Sequence, residues 1–292
     1  MIKSRKIQGI NTHRKPQLFF GVDNDYIWPL LVSLYSATKS FSAFNKVCVL
    51  YNPEFLDLKM ISFIEEQSRL IHIKTRFIPL NSLNHSYSKG HLTPTSYLWL
   101  QISEVSQGLA FWFDVDLLFL EDWHELLAYT KSDGAKNLPI HARLHWGNPV
   151  STSNQAIIKS KGRYFNSGVV LINSKLWRTR SILGDLVQIM SKSINLGFEW
   201  ADQCVLNYYF QGEYGAIESI YNSIPSEYDF NQTCIIHFAG SHKPWTLRIT
   251  TECIFEKITN SILESDVPQN ERSAYERYRF MEKELYEMIC SK

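Results

Sequence analysis

With 292 residues and 45% hydrophobic content, the chain is long enough for one large domain with a sizeable core. Lys and Arg total 30 against 29 Asp and Glu, a net charge of +1, which excludes the basic footprint of a nucleic-acid-binding protein. No uncharged apolar run reaches the roughly 18 residues of a membrane-spanning helix, and no signal-peptide pattern precedes the first apolar segment. The expectation is a soluble, cytoplasmic protein, with peripheral contact at the inner face of a membrane left open. The five cysteines (Cys48, Cys204, Cys234, Cys253, Cys290) are odd in number and widely spaced. They read as free thiols in a reducing compartment rather than as a disulfide or zinc framework. Nothing in the sequence indicates an oligomeric state.

Residues 1–16 are polar and basic and read as a flexible lead-in. Gln17 to Val22 is a short apolar strand that ends at Asp23. Pro29 suits the first turn of a helix running to Ser40. Lys46 to Tyr51 is a second strand, Phe55 to Ser68 an amphipathic helix and Leu70 to Ile78 a third strand. A polar loop over Asn81 to His91 and a helix over Thr95 to Ser106 lead to the run FWFDVDLLFL, Phe111 to Leu120. This run predicts one rigid central strand, buried on both faces. Beyond it come a short helix (Trp123–Tyr129), a loop (Lys131–Asn137) and a strand (Leu138–Leu144). A polar segment from His145 to Lys161 is the candidate mobile loop. Tyr164 to Asn173 is again a buried strand, followed by helix over Ser174–Leu196 and Ala201–Phe210 and a late strand over Cys234–Phe238. The tail from Asn270 to Cys290 predicts a charged helix that docks through Tyr275, Tyr278, Met281, Leu285 and Met288. Strand–helix alternation of this kind points to an α/β fold with a mostly parallel sheet. The expected organisation is a domain over 17–250 with a C-terminal helical extension over 251–292.

In open α/β sheets, ligands bind beyond the C-terminal ends of the strands. Three such ends carry chemistry here: Asp23-Asn24-Asp25-Tyr26, Asp114-Val115-Asp116, and His237 with Gly240, Ser241, His242, Lys243, Pro244 and Trp245. A buried carboxylate must be paired or bound to a metal. Asp114 and Asp116, two residues apart in an extended segment, can offer two oxygens to one cation. A solvated turn after a strand that ends at Asp114 is the alternative. No phosphate-binding glycine loop and no dinucleotide fingerprint is present.

These motifs occur in one order: FFGVDNDY, DVD, YFNSGVVLIN followed by LW, DQCVLN, and HFAGSHKPW. Together they resemble glycosyltransferase family 8, the retaining nucleotide-sugar transferases that include bacterial lipopolysaccharide galactosyl- and glucosyltransferases and glycogenin. The resemblance spans about Phe19 to Trp245 and implies a GT-A (Rossmann-like) fold with a mixed, mostly parallel central sheet. It implies that Asp114, Asp116 and His237 bind Mn2+, with Mg2+ as a substitute. Val22, Asp23, Asp25, Tyr26 and Val115 would hold the nucleotide of a UDP-sugar, with Tyr26 stacked on uracil. Gly240 and Lys243 would close over the diphosphate, Asn166 and Ser167 would line the sugar subsite, and Asp202 and Gln203 would face the sugar ring as the catalytic pair. The implied activity is retaining transfer of glucose or galactose to a glycan or glycoconjugate. A catalytically degenerate nucleotide- or glycan-binding member and a metal-dependent nucleotidyltransferase are the alternatives. Three departures from the family pattern stand out. Trp99 replaces a usual basic residue, and Cys204 replaces the second acid of the usual DQD. In the segment His141 to Asn148, which lacks an aspartate often found there, Arg143, His145 and Trp146 are offered as substitute sugar contacts.

Overall fold

The structure, a computed structural model, describes residues 15–84, 93–145, 163–193, 195–240, 242–249, 255–257 and 267–291. Most of the predicted lead-in, part of the loop before Pro94 and all but His145 of the predicted mobile loop lie outside them.

β1 (Gln17–Gly21) passes through a 3-10 turn into α1 (Ile27–Ser40); β2 (Lys46–Tyr51), α2 (Leu58–Leu70) and β3 (Lys74–Pro79) follow. A 3-10 helix (Pro94–Gln101) and α3 (Ile102–Val105) lead to β4 (Leu109–Phe113) and β5 (Leu117–Phe119). Then come α4 (His124–Tyr129), α5 (Asp133–Asn137), β6 (Ile140–Leu144), β7 (Phe165–Asn173), α6 (Ser174–Thr179), α7 (Ile182–Met190) and α8 (Ala201–Phe210). β8 (Gly215–Ala216), β9 (Ile235–His237), β10 (Leu247–Arg248), β11 (Glu256–Lys257) and α9 (Arg272–Cys290) complete the described elements.

Seven strands form one sheet in the order β3-β2-β1-β4-β7-β6-β8. Only β7 runs against the others, so the sheet is mixed and mostly parallel, as expected. The two-residue period of the strands sorts their side chains into two cores. Phe20, Val49, Phe111, Phe113, Val169 and Leu171 face α1, α2 and α9, while Phe19, Cys48, Ala110, Trp112, Val170 and Ile172 face the 3-10 helix, α6, α7 and α8. α1 is buried from Ile27 to Ala37 without interruption. That fits a helix apolar on nearly every side, packed between sheet, β5 and α9.

The predicted single strand over Phe111–Leu120 is corrected. β4 ends at Phe113, and the chain re-enters extended structure at Leu117 in a separate two-stranded sheet, paired with β9. Backbone hydrogen bonds to two different partners cause the break. The Asp114 amide donates to the Gly168 carbonyl of β7 (2.9 Å), and the Phe238 amide beyond β9 donates to the Asp116 carbonyl (3.0 Å). Smaller differences have equally local causes. The third strand starts at Lys74 because α2 runs to Leu70 and His72 turns the chain at φ 62°. The long helix after Ser174 is interrupted where Ser181 adopts φ 55°, which breaks the helical hydrogen-bond series. The helix expected over Thr95–Ser106 is mostly 3-10, with Pro94 in its first turn.

α9 docks on the body through Tyr275, Tyr278 and Leu285, as its stripe predicts, with Met281 and Met288 half-buried beside them. Its Glu282, also buried, accepts from the Trp28 indole (2.8 Å) and from the amide (3.0 Å) and hydroxyl (2.7 Å) of Thr246. A buried carboxylate is tolerated when its oxygens are satisfied in this way. Among the described residues no helix is long and apolar enough to cross a membrane.

Candidate functional site

A cleft of about 350 Å³ opens where β1, β4 and β9 end. Its size lies within the usual range of small-molecule sites. Asp114, Val115 and Asp116 cross its floor, stretched between two sheets by the two anchors just described. The carboxylates of Asp114 and Asp116 and the imidazole of His237 bring their ligand atoms within 4.8 Å of one another. His237 Nε2 lies 3.6 Å from an Asp114 oxygen and 3.3 Å from an Asp116 oxygen. The turn alternative holds for the backbone, but Asp116 is buried rather than solvated.

Each acid has its own environment. Lys243 Nζ donates to Asp116 (2.6 Å) and to the Phe238 carbonyl (2.9 Å). Burial works to raise the Asp116 carboxyl, but Lys243 and His237 hold it well below the usual carboxylate range. Asp114 accepts from the Trp112 indole (2.8 Å). Burial, reinforced by the charge of Asp116, pushes Asp114 up to about 7, against the opposing pull of His237 and Trp112. Burial also pushes Asp202 up to about 7, although it accepts from the Trp99 indole (2.9 Å). The two indoles stack, with centroids 5.7 Å apart and planes 11° from parallel. One aromatic pair thereby holds a carboxylate at each end. Gly21 makes room for it, since a Cβ there would lie 2.6 Å from Trp112.

Asp23 is buried at the cleft edge, caps the turn to Asp25 (3.2 Å) and accepts from the Thr93 hydroxyl (2.9 Å). Burial raises its carboxyl. Tyr26 meets Trp245 edge-on, and both its ring and the backbone of Gly240, at φ 90°, line the cleft. On the far wall Asn166 Nδ2 (2.9 Å) and the Ser167 amide (3.1 Å) both donate to Gln203 Oε1.

Of the sequence-predicted residues, Val22, Asp23, Tyr26, Asp114, Val115, Asp116, Asn166, Ser167, Asp202, Gln203, His237, Gly240 and Lys243 all line this one cleft. Asp25 does not, being exposed beyond the cap. His145 lines it, but Arg143 turns inward to the Asn222 carbonyl (2.5 Å) and to Glu227. Trp146 lies outside the described residues. Trp99 is buried behind the wall, and Cys204 packs its thiol against the Tyr164 hydroxyl (3.2 Å). Sequence reasoning missed Thr93, Trp112 and Asn222 as supports. Only Gly168 carried a usable signal, because a glycine inside a buried strand marks a close approach.

Four carboxylates line the cleft (Asp23, Asp114, Asp116, Asp202), against the one ammonium of Lys243 among the described lining residues. Two carboxylates and an imidazole make a donor set suited to Mn2+ or a similar divalent cation, and the residues fit such an ion. The fit depends on Gly168, where a Cβ would lie 2.2 Å from His237 Cε1 and 2.4 Å from Nδ1. Gly168→Ala is expected to push the imidazole off the aspartates and weaken Mn2+ binding by about 10-fold or more. Electron paramagnetic resonance of free Mn2+ during titration checks this; unchanged affinity would remove His237 from the ligand set.

General stress protein A of Bacillus subtilis (strain 168) is 24% identical over 211 residues, covering 62% of this chain and 70% of its own length. Lipopolysaccharide 1,2-glucosyltransferase of Escherichia coli (strain K12) is 29% identical over 140 residues, 41% of each chain. The match thus spans most of the first relative and under half of the second. Among solved structures, the galactosyltransferase LgtC, in complex with donor and acceptor sugar analogues, superposes with a TM-score of 0.71 at 19% identity. That superposition covers 92% of this chain and 95% of LgtC. The apo glycosyltransferase GlyE of Streptococcus pneumoniae TIGR4 gives a TM-score of 0.61 at 18% identity, covering 94% of this chain and 64% of that one. These likenesses establish the fold, which is the GT-A type expected. Residues 17–248 match the family described as Glycosyl transferase family 8, and on that match over most of its length the chain belongs to glycosyl transferase family 8.

Proposed function

We propose that the protein is a divalent-metal-dependent hexosyltransferase that moves glucose or galactose from a UDP-sugar to a glycan or glycoconjugate, with retention at the anomeric carbon. The observation that carries this reading is the convergence of Asp114, Asp116 and His237 on one point, in a cleft that Lys243 and Gln203 also line. A diphosphate entering this acidic cleft meets net repulsion unless a cation neutralises it. Mn2+, when bound, supplies that charge and Lewis acidity toward the diphosphate. Lys243 adds a positioned ammonium for the charge of the leaving UDP. Asp23 and Tyr26 hold the uridine, and Gly240 lets backbone approach the phosphates.

Neither group on the far wall suits nucleophilic attack. Gln203 Oε1 is a weakly basic amide oxygen that already accepts two hydrogen bonds. Asp202, with its carboxyl near 7 and its oxygen on an indole, is partly protonated at neutrality. The reading is therefore front-face attack: the acceptor hydroxyl approaches from the leaving-group side, a UDP phosphate oxygen takes its proton, and Gln203 stabilises the oxocarbenium-like carbon. A covalent sugar adduct trapped on Gln203 or Asp202 would overturn this route. The function itself is tested by a donor screen with Mn2+, following UDP release with and without simple sugar acceptors. Release with one UDP-hexose is expected. UDP binding without release from any donor would instead identify a binding protein.

A further inference from the structure

The imidazole of His237 is held from behind by two amides. Its Nδ1 lies 3.1 Å from Asn166 Oδ1 and 3.0 Å from Asn222 Oδ1. Carbonyl oxygens only accept, so Nδ1 carries the proton and Nε2 is left to face Asp114 and Asp116. The amide orientations are fixed by further bonds. Asn222 Nδ2 and the Gly168 amide both donate to Asn166 Oδ1 (2.9 Å each), and Asn166 Nδ2 donates to Gln203 Oε1 (2.9 Å). Turning either amide round would set N–H against N–H.

Asn222 is fully buried and does not line the cleft. It sits just after a 3-10 turn (Ser219–Tyr221), and its backbone is clamped from both sides. Its amide donates to the Ser219 carbonyl (3.0 Å), and its carbonyl accepts from Arg143, which is itself paired with Glu227. A buried side-chain amide this well fixed, whose acceptor is aimed at the back of one imidazole, is built to set that imidazole.

We propose that Asn222 is a positioning residue of the cation site. It fixes the tautomer and ring plane of His237, and through Asn166 it ties the metal ligand to the amide of Gln203. This rests on the reading of Asp114, Asp116 and His237 as a metal site. Groups that orient a ligating histidine change metal affinity by about 10–100-fold when removed.

The test uses the full chain and Mn2+ alone, without donor, together with 15N NMR of the His237 ring at pH 8. Asn222→Leu is expected to weaken Mn2+ binding by about 10–100-fold and to shift and weaken the protected Nδ1–H signal, which then rests on Asn166 alone. Asn222→Asp keeps an acceptor behind Nδ1 and is expected to restore most of the affinity and the Nδ1–H signal; it also serves if the leucine variant fails to fold. Wild-type affinity and an unchanged ring signal in both variants would overturn the proposal, as would equal loss in both with the Nδ1–H intact. If the wild-type protein binds no Mn2+, the metal reading fails by itself, and the ring signal still decides whether Asn222 sets His237.

Discussion

Asp116→Ala is expected to abolish Mn2+-dependent UDP binding and to destabilise the protein even without ligand. Asp116 faces both ways: one oxygen lies 3.3 Å from His237 Nε2 and the other accepts from Lys243 at 2.6 Å. On the metal reading proposed above, removing it takes away one of the ligands, for which a loss of affinity on the order of 100-fold or more is expected. It also leaves a largely buried ammonium with no carboxylate on it, held by the Phe238 carbonyl and the Trp245 ring 5.8 Å away. Breaking a fully buried pair costs about 3–5 kcal/mol; the Lys243 side chain is 14% exposed, so a cost at or just below that range, about 2–3 kcal/mol, is expected. Calorimetric titration of UDP with and without Mn2+, and urea unfolding of the metal-free protein, measure the two effects separately. UDP binding that survives in Asp116→Ala and still responds to Mn2+ would sink the metal assignment.

The second large effect runs in the opposite direction for stability. Asp202→Asn is expected to stop transfer and yet to make the metal-free protein more stable above neutral pH. Burial raises the Asp202 carboxyl from 3.8 to about 7, so the native state holds this proton more tightly than the unfolded chain. Stability is therefore unpenalised below about pH 4, falls as pH rises toward 7, and has lost its full share by pH 8. At about 1.4 kcal/mol per pH unit the loss amounts to roughly 4 kcal/mol. Asparagine keeps an acceptor for the Trp99 indole and has no charge to bury. The stability gap between variant and wild type should then be small at pH 4.5 and wide at pH 8, as read by urea unfolding at both values. Parallel pH profiles would mean that Asp202 is not the buried charge described. A gain in stability with a loss of activity would mark Asp202 as a functional carboxylate buried at a cost to the fold.

Much of the fold was legible because its strands are buried on both faces and its helices carry clear apolar stripes. Phe19 and Phe20, or Val169 and Val170, need opposite cores, and only a sheet covered on both sides provides them. Asp23, Asp114, Asp116 and His237 were legible as strand-end residues of β1, β4 and β9, while Asn166 and Ser167 at the start of β7 and Asp202 and Gln203 at the start of α8 came only with the family resemblance. The break within Phe111–Leu120 was not, because an apolar run has the same appearance whether it stays in one sheet or crosses to another. What divides it is the hydrogen bonding of two main-chain groups to Gly168 and Phe238. Asp25 lies off the cleft for a related reason: its chemistry resembles that of Asp23, but it is exposed within the tight turn that Asp23 caps. Trp99 read as a lost cation. In space its indole N–H is a neutral donor to Asp202, which no spacing rule conveys. Asn222 belongs to no motif, and only the folded chain places it behind His237.

The clamp made by α9 has a consequence in time. The segment bearing Lys243 is held from behind by residues that follow it in the chain: Tyr275 reaches the His242 carbonyl (3.3 Å), and Glu282 gathers Thr246 and the Leu247 amide (3.4 Å). At about 5–20 residues per second of synthesis, roughly 2–8 s separate the appearance of Lys243 from that of Glu282. Throughout that interval the aspartate pair already exists on the nascent chain, while the strap carrying its ammonium lacks the anchors that α9 supplies. The Lys243 side of the cleft therefore gains its last supports only once α9 has been made and has docked, so a growing chain acquires its sheet before this part of its site is braced.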